Sequence, residues 1–281
     1  MPRLPHPTPA ELRRDPLPLR GRTALVTGAS RRGGIGFAVA RRLAAYGASV
    51  YLHHHVAHDE AMPWGGDRPA DVADAVREVC GAADAVVAHG PADLTEPGAP
   101  ARLVQDAAEA FGGRLDIVVA NHALSGTDGT LDTIDAAMLD AHWAVDARSV
   151  LLLVQAFARH RTAYEGVPGG RVVMMTSGQD IADGMPGEIA YALQKGALAS
   201  ITRSLATALA PQFVTVNTVN PGPVDTDYLD GEVYESIAEL FPAKRWGMPD
   251  DPARLISWLA TDEAAWITGQ VIDSEGGFRR S

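Results

Sequence analysis

The segment Ala24-Leu25-Val26-Thr27-Gly28-Ala29-Ser30-Arg31-Arg32-Gly33-Gly34-Ile35-Gly36 decides the fold. Its first four residues are an apolar, β-prone run that predicts a buried strand, and apolar residues then recur at helical spacing from Ile35 to Gly47. Glycines between the two let the backbone approach a pyrophosphate, and the helix N-terminus offers unpaired N–H groups with a partial positive charge. This order predicts a dinucleotide site whose members in the turn are Gly28, Ser30, Arg31, Arg32, Gly34, Ile35 and Gly36.

Strands and helices alternate through the rest of the chain. Further strands are expected at 49–53, 85–88, 115–120, 171–176, 215–219 and 270–272, with a long loop at 54–68 and the longest helices at 138–161 and 190–210. Such alternation predicts one parallel sheet with helices on both faces. No linker divides the pattern, so we expect a single domain over residues 19–281. Residues 1–18 contain six prolines and are expected to form a loosely ordered arm.

Composition and charge narrow the functional class. The chain has 281 residues, of which 46% are hydrophobic, and this is enough for a large core. Its formal net charge of −11 disfavours a nucleic acid or an anionic membrane as a partner. Cys80 is the single cysteine, so no internal disulfide can form, and no apolar run is long enough to span a membrane. We therefore expect a soluble, cytoplasmic protein.

The end of the second predicted strand bears on which dinucleotide binds. An NAD site usually places an acid roughly 20 residues beyond the glycines, where it holds the ribose hydroxyls. Here that position falls on His54, within His53-His54-His55, and no acid stands there to repel a 2′-phosphate. Arg31 and Arg32 could pair with that phosphate, although they could also be a solvated loop tip. We predict NADP(H) rather than NAD(H), with His54 and His55 beside it.

The same histidine run raises the question of a metal site. Successive residues of a strand point to opposite faces of the sheet, so three adjacent histidines do not easily converge on one ion. We therefore predict no metal.

A second cluster of chemistry lies in Tyr191-Ala192-Leu193-Gln194-Lys195. A Tyr and a Lys four residues apart share one face of a helix. A phenol ionises near pH ~10, so it becomes a useful base only where a neighbouring cation stabilises the phenolate. Lys195 could be that cation, and the hydroxyl of Ser177 could hold a substrate oxygen beside Tyr191. The pair alone is also compatible with an ordinary amphipathic helix.

Together these motifs resemble the short-chain dehydrogenase/reductase family, and within it the branch around 3-oxoacyl-(acyl carrier protein) reductase. The resemblance spans about residues 21–277. Besides the glycine turn and the set Ser177, Tyr191 and Lys195, the matching motifs are Asp93-Leu94, Asn121, Asn220-Pro221-Gly222 with Thr226, Ile267-Thr268-Gly269-Gln270 and Glu275-Gly276-Gly277. It implies a Rossmann-like, doubly wound, mainly parallel sheet of seven strands in a single-domain α/β protein.

The resemblance also implies roles. Tyr191 would be the acid and base, Lys195 would bind the nicotinamide ribose and lower the pKa of Tyr191, and Ser177 would hold the substrate oxygen. Further cofactor contacts would come from Asp93, Leu94, Asn121, Pro221, Gly222, Val224 and Thr226. Residues 224–248 would form a substrate lid. Family members are commonly tetramers whose subunit interfaces are built from two long helices and the last strand. We therefore expect this protein to be a homotetramer.

Three departures from the family pattern stand out. The glycine turn has two extra residues before Gly34 and Gly36, and the insertion contains the two arginines, Arg31 and Arg32. The family's Asn-Asn-Ala-Gly appears as Ala120-Asn121-His122-Ala123. The catalytic Asn of the family's tetrad aligns with Asp146, which keeps a similar shape and the main-chain carbonyl but lacks the two amide donors. An ionised Asp146 close to Lys195 would favour the protonated lysine. We still expect activity.

The reaction predicted is hydride transfer between NADPH and a ketone, or the reverse with a secondary alcohol. The substrate could be a 3-oxoacyl thioester or a small or secondary-metabolite ketone, bound by Ser177 and Tyr191. Further residues could line the pocket, although each could equally serve packing or lie at the surface: Gln179, Met185, Glu188, Tyr228 and Trp246. The alternative is a degenerate, non-catalytic NADP(H)-binding regulatory protein, for which Asp146 and the altered turn would be the reason. Enoyl reduction ranks lower, because it usually goes with a Tyr–Lys spacing wider than four.

Overall fold

The sheet is the frame of the molecule. The computed structural model describes residues 13–161, 169–180, 184–227 and 231–278. Seven strands form one sheet in the order β3-β2-β1-β4-β5-β6-β7, and every neighbouring pair is parallel. The predicted doubly wound α/β fold is confirmed. The strands are β1 Thr23–Val26, β2 Ser49–His54, β3 Val87–Pro91, β4 Ile117–Ala120, β5 Gly170–Met175, β6 Val214–Asn220 and β7 Val271–Asp273.

Helices cover both faces of this sheet because each central strand is apolar on both sides. In β1, Ala24 and Val26 face one core and Leu25 faces the other. The first core packs against α1, α3 and α9, and the second against α4, α6 and α7. The helices are α1 Ile35–Ala45, α2 Val56–Glu60, α3 Pro69–Arg77, α4 Ala99–Glu109, α5 Ala136–His142, α6 Ser149–Arg161, α7 Ile189–Leu209, α8 Gly231–Glu239 and α9 Asp250–Leu259.

The strand order reverses between β1 and β4. The chain runs outward from β1 through β2 to β3, then returns to place β4 on the other side of β1. The loops that follow β1 and β4 therefore diverge and leave a crevice at the carboxyl ends of the strands, where open α/β sheets bind their ligands.

Two expectations about local structure differ from the structure in detail. The helix predicted at 138–161 is present as one helical run, but a π-helical segment, Trp143–Arg148, lies within it between α5 and α6. One extra residue in a turn barely changes the apolar periodicity, so the sequence pattern does not reveal it. The loop predicted at 54–68 contains the short helix α2, and β3 begins at Val87, two residues later than expected.

Leu19 anchors the N-terminal part of the described chain to the fold. Leu19 is fully buried, and its N–H donates to the carbonyl oxygen of Tyr46 at 2.9 Å. Residues 1–12 of the predicted arm lie outside the described residues. Among the helices that the structure describes, none is both long and apolar enough to cross a membrane.

Candidate active site

The glycine turn between β1 and α1 is held against the end of β4. Gly28 has a φ of +64°, and a Cβ atom there would lie 2.8 Å from Cα of His122, so only glycine fits. Nδ2 of Asn121 donates to the carbonyl oxygen of Gly28 and to that of the preceding residue, both at 3.0 Å. No side chain caps the N-terminus of α1 at Gly34. The turn therefore leaves the N–H groups of the first helical turn available to a ligand.

A cleft of about 440 Å³ opens where the sheet reverses its strand order, and it adjoins this turn. Such a volume is typical of a small-molecule or cofactor site. Ten residues that the sequence assigns to the cofactor line it, namely Gly28, Ser30, Arg31, Gly34, Ile35, His55, Asp93, Leu94, Asn121 and Thr226. The structure thus brings together residues from five separate segments, which follow β1, β2, β3, β4 and β6.

The other predicted cofactor residues do not line this cleft in the ranges that the structure describes. They are Arg32, Gly36, His54, Tyr191, Lys195, Pro221, Gly222 and Val224. Two of them have identifiable partners elsewhere. The guanidinium of Arg32 forms a two-pronged ion pair with Asp67, at 2.8 and 3.2 Å. Nε2 of His54 lies 3.3 Å from Nδ1 of His89 on the neighbouring strand.

Arg31, unlike Arg32, points along the cleft. Its guanidinium lies 5.2 Å from the ring centre of Trp64 and donates to the carbonyl oxygen of Thr226 at 3.0 Å. It therefore links the inserted glycine turn to the loop before α3 and to the start of the predicted lid. The sequence analysis missed Trp64 as a cleft residue, because the Pro-Trp-Gly-Gly run around it indicates only a chain break.

An acid does stand near the end of β2, although not at the position where the sequence analysis looked for it. Asp59, on α2, is 7% exposed and lines the cleft together with His55 and His58. It lies five residues beyond His54, within a helix that the sequence analysis assigned to a loop.

Two buried histidines form the floor of the cleft, and both have partners that suit a neutral ring. Nδ1 of His53 accepts from the N–H of Gly28 at 3.2 Å, and Nε2 donates to the carbonyl oxygen of Ala92 at 3.0 Å. Burial lowers the pKa of His53 to about 4. His122 lies between the hydroxyls of Thr27 (2.6 Å) and Ser149 (2.7 Å). Burial, and then the charges of His53 and Lys195, hold the pKa of His122 well below its ordinary value.

The Tyr–Lys pair lies at the start of α7. Lys195 is 1% exposed, its Nζ donates to the carbonyl oxygen of Met175 at 3.2 Å, and the same atom lies 5.3 Å from the ring centre of Tyr191. Burial lowers the pKa of the Lys195 ammonium, and the charge of Asp146 opposes this effect. A buried cation therefore lies against the phenol ring, as the helical spacing predicted.

Ser177 follows β5 and sits in a turn that Gln179 organises. Oε1 of Gln179 accepts from the N–H of Ser177 at 3.2 Å and from the hydroxyl of Thr176 at 3.3 Å. The carbonyl end of the Gln179 amide is therefore engaged with the main chain that carries Ser177. Met185 is half-buried, and its carbonyl oxygen accepts from the N–H of Glu188 just before α7.

Asp146 lies in the π-helical segment, fully buried, and its two carboxylate oxygens have separate partners. Oδ1 accepts from the N–H of Leu124 at 2.7 Å, and Oδ2 lies 2.6 Å from Nδ1 of His142. Leu124 and Val145 both line the cleft, so the position of Asp146 adjoins it. The sequence analysis named Asp146 but missed His142, although the two residues are four apart on one helix.

The two ends of the predicted lid are joined to each other. Val224 forms an isolated bridge with Gly247, and the N–H of Asp225 donates to the carbonyl oxygen of Gly247 at 2.8 Å. Within the lid, Tyr234 stacks on Trp246, with ring centres 5.0 Å apart. Trp246 is 2% exposed, so it serves packing, and Tyr228 lies outside the described residues.

In the part of the chain that the structure describes, no group of three or more His, Cys, Asp or Glu side chains is arranged to hold an ion. The cleft therefore combines a glycine turn suited to phosphate with an acid, two neutral histidines and an adjacent Tyr–Lys pair.

Comparison with known proteins gives consistent matches over nearly the whole chain. Residues 28–279 match a family model described as enoyl-(acyl carrier protein) reductase. The uncharacterized oxidoreductase YjdA of Bacillus subtilis is 41% identical over 257 residues, which cover 92% of this chain and 96% of that protein. The versicolorin reductase stcU of Emericella nidulans is 32% identical over 274 residues, which cover 92% and 96% of the two chains.

One of the similar solved structures contains a bound cofactor. A short-chain dehydrogenase from Burkholderia cenocepacia, in complex with NADP, is 34% identical and superposes with a TM-score of 0.78. The match covers 92% of this chain and 98% of that one.

Proposed function

The chain belongs to the short-chain dehydrogenase/reductase family, and from this premise we propose that it reduces a ketone with NADPH, or oxidises the corresponding secondary alcohol. One observation carries the proposal. The buried ammonium of Lys195 lies 5.3 Å from the ring centre of Tyr191, at the carboxyl end of a sheet whose glycine turn is open for a dinucleotide. A phenol beside a buried cation is suited to give and take a proton near neutral pH.

The roles of the residues follow from their chemistry. A bound nicotinamide would supply the hydride. Tyr191 would donate its phenolic proton to the carbonyl oxygen as negative charge develops there, and Lys195 would stabilise the phenolate left behind. Ser177 would donate a hydrogen bond to the same oxygen. Gln179 would keep the backbone of Ser177 in place through the hydrogen bond at 3.2 Å.

The cofactor would lie along the cleft. The N-terminus of α1, with Ser30 and Gly34, would hold the pyrophosphate, and Asp93 and Leu94 would border the adenine. The turn Pro221-Gly222, with Val224 and Thr226, would close over the nicotinamide. Burial opposes ionisation of Asp93, but hydrogen bonds from Thr95 outweigh it and lower the pKa of that carboxyl group.

NADPH rather than NADH is proposed because the guanidinium of Arg31 lies in the cleft. The NADP bound to the Burkholderia relative is consistent with this choice. Asp59 favours the other choice, since a carboxylate in the cleft can hold ribose hydroxyls and would repel a 2′-phosphate. His55 and His58 also line the cleft.

Ketone reduction is proposed over enoyl reduction, even though the matching family model carries the enoyl name. The Tyr–Lys spacing of four residues, with Lys195 against the ring of Tyr191, is the arrangement expected of a ketone reductase. A non-catalytic role gains no support from the relatives described above, whose names are those of oxidoreductases.

The proposal is tested by following NADPH absorbance with a panel of ketones, 3-oxoacyl thioesters and enoyl thioesters. Tyr191→Phe should lower turnover by about 100-fold or more while NADPH still binds, because only the acid is lost. Arg31→Ala should weaken NADPH binding by about tenfold, whereas the matched variant Arg32→Ala should change it little, since Arg32 pairs with Asp67. Turnover that survives in Tyr191→Phe would overturn the mechanism. A preference for NADH would indicate that Asp59, rather than Arg31, determines which cofactor binds.

We also propose that the protein is a homotetramer. A groove of about 560 Å³ runs between α4 and α6, lined by Val104, Ala108, Leu152 and Ala156. Large apolar side chains are also exposed elsewhere, including Leu151 on α6, Trp143 in the π-helical segment and Trp266 five residues before β7. Exposed apolar surface of this kind favours burial between subunits. Light scattering on the purified protein should give four times the mass of one chain, and a monomer would contradict the proposal.

A further inference from the structure

Three charged side chains meet beneath the Tyr–Lys pair. His142 ends α5, and its Nδ1 lies 2.6 Å from Oδ2 of Asp146. Its Nε2 lies 3.2 Å from the carbonyl oxygen of Gly126 and 3.7 Å from Oδ2 of Asp128. His142 is 1% exposed and Asp146 fully buried. The ring thus sits between two carboxylates away from water.

The partners of the ring determine its charge. A neutral histidine has one nitrogen that donates and one that accepts. Here the Nδ1 of His142 faces the carboxylate of Asp146, and Nε2 faces the carbonyl of Gly126, so both nitrogens face acceptors. Only the imidazolium can donate to both.

This cluster joins the two elements that carry the catalytic residues. Asp146 lies in the π-helical segment, and its Oδ1 holds the N–H of Leu124. Asp128 caps α7, accepting from the N–H groups of Ala190 at 2.9 Å and Tyr191 at 2.8 Å. The ring of His142 meets the ring of Tyr191 edge to face, with centres 6.2 Å apart. His142 therefore bridges the position of Asp146 and the backbone of the proposed acid.

The charges around the Tyr–Lys pair explain why a cation is needed there. An Asp146 carboxylate with no partner would favour the protonated forms of Lys195 and Tyr191, and would oppose formation of the phenolate. Other groups that face the imidazole are Asp128 and Glu188, which are also acidic. The positive charge of His142 offsets the negative charge of these carboxylates.

We propose that His142 is a positioning residue of this active site: as an imidazolium between Asp146 and Asp128, it offsets the charge of Asp146 and allows an acid to occupy the place where related enzymes carry an asparagine. The inference rests on the proposed function, since the tetrad position has meaning only in such an enzyme. His142 acts through Asp146 and Tyr191.

The direction of the pKa shift agrees with the geometry. Burial is the largest single influence and lowers the pKa of His142. The hydrogen bond and charge of Asp146, followed by the charge of Asp128 and the carbonyl of Gly126, outweigh it, so the pKa is raised above its ordinary value.

The decisive experiment is a double-mutant cycle that measures rate against pH. His142→Leu leaves Asp146 buried without its cation, so the apparent pKa for alcohol oxidation should rise by about one pH unit and kcat should fall by about tenfold, with a smaller change in KM. Asp146→Asn removes both the acid and the need for a cation beside it. The kcat of this variant should therefore fall less than that of His142→Leu. The double variant should regain the dependence of rate on pH that the native protein shows and that His142→Leu alone changes.

A second readout does not depend on turnover. In thermal unfolding of the cofactor-free protein, His142→Leu should lower Tm by about 8 °C, because it leaves a buried carboxylate unpaired, and adding Asp146→Asn should restore at least half of that loss. The exposed pair Lys244–Glu239 provides the matched control. The cycle of Lys244→Met and Glu239→Gln should show no such rescue.

The outcomes separate this inference from the proposed function. If no substrate turns over, the rescue of Tm still tests the pair. If His142→Leu does not fold, the ring nitrogens of His142 in the intact protein can be titrated by NMR. Additive losses in the double variant, or a neutral His142 at pH 7, would overturn the proposal.

Discussion

His53 and His122, on the floor of the cleft, and His142, beneath the Tyr–Lys pair, are the same residue type at nearly the same burial. They are 2%, 6% and 1% exposed. Yet burial leaves the first two neutral, with the pKa of His53 lowered to about 4, whereas the pKa of His142 is raised. Depth alone therefore does not set the charge of a histidine.

The difference lies in what faces the two ring nitrogens. His53 meets a backbone donor on one side and a carbonyl on the other, and His122 meets two hydroxyls, which can donate or accept. His142 meets acceptors on both sides, one of which is a carboxylate. The cleft floor thus carries no charge from its histidines, while the region beneath the Tyr–Lys pair combines an imidazolium with two carboxylates.

The largest expected effect comes from placing the same cation in both regions. His122→Lys would bury an ammonium between two hydroxyls and near Lys195, and should lower the free energy of unfolding by about 3–5 kcal/mol. His142→Lys would place the ammonium between Asp128 and Asp146, and should cost only about 1–2 kcal/mol. Urea unfolding of the cofactor-free proteins measures both.

The neutral variants His122→Met and His142→Met control for the change of shape in that comparison. If the two lysine variants lose the same stability relative to their methionine controls, the two regions do not differ in charge as described.

A smaller change in the free energy of unfolding is expected when the pH is lowered. Because the pKa of His53 is about 4 in the folded protein and near 6.5 when unfolded, the unfolded chain takes up its proton first as the pH falls. The free energy of unfolding should therefore fall between pH 6.5 and 4, by about 3 kcal/mol from this residue. His53→Gln, which keeps a donor and an acceptor, should flatten that slope in urea unfolding at a series of pH values.

His142 should change the free energy of unfolding with pH in the opposite direction, and it therefore serves as a control. Its pKa is raised on folding, so its contribution is complete below pH ~6.5 and is lost as the pH rises through the folded value. The variant that combines His142→Leu with Asp146→Asn should leave the acid slope unchanged and remove the loss on the alkaline side. An acid slope that survives in His53→Gln would contradict the assignment to His53.

Sequence patterns predicted the frame well because the frame depends on local periodicity. The apolar run of β1, the glycine turn and the four-residue spacing of Tyr191 and Lys195 are all short-range signals. The apolar periodicity does not reveal the π-helical segment at Trp143–Arg148, since this segment adds one residue to a turn without altering the apolar pattern. The pair His142 and Asp146 could have been found from its helical spacing.

Other parts of the site depend on contacts between distant segments. Asp128 caps α7 from more than 60 residues away, and Trp64 meets Arg31 from a loop with no motif of its own. Asp59 reaches the cleft only because α2 turns the chain back after β2. Such pairings follow from how loops are brought to one edge of the sheet.

The sequence by itself determined the alternating elements, the glycine turn and the family of the chain, because each rests on short motifs whose residues lie within a few positions of one another. Only the tertiary structure decided the charge of each buried histidine and the different roles of Arg31 and Arg32. The physical reason is that protonation and pairing depend on which donors, acceptors and charges surround a group in a medium of low polarity, and folding alone brings those neighbours together.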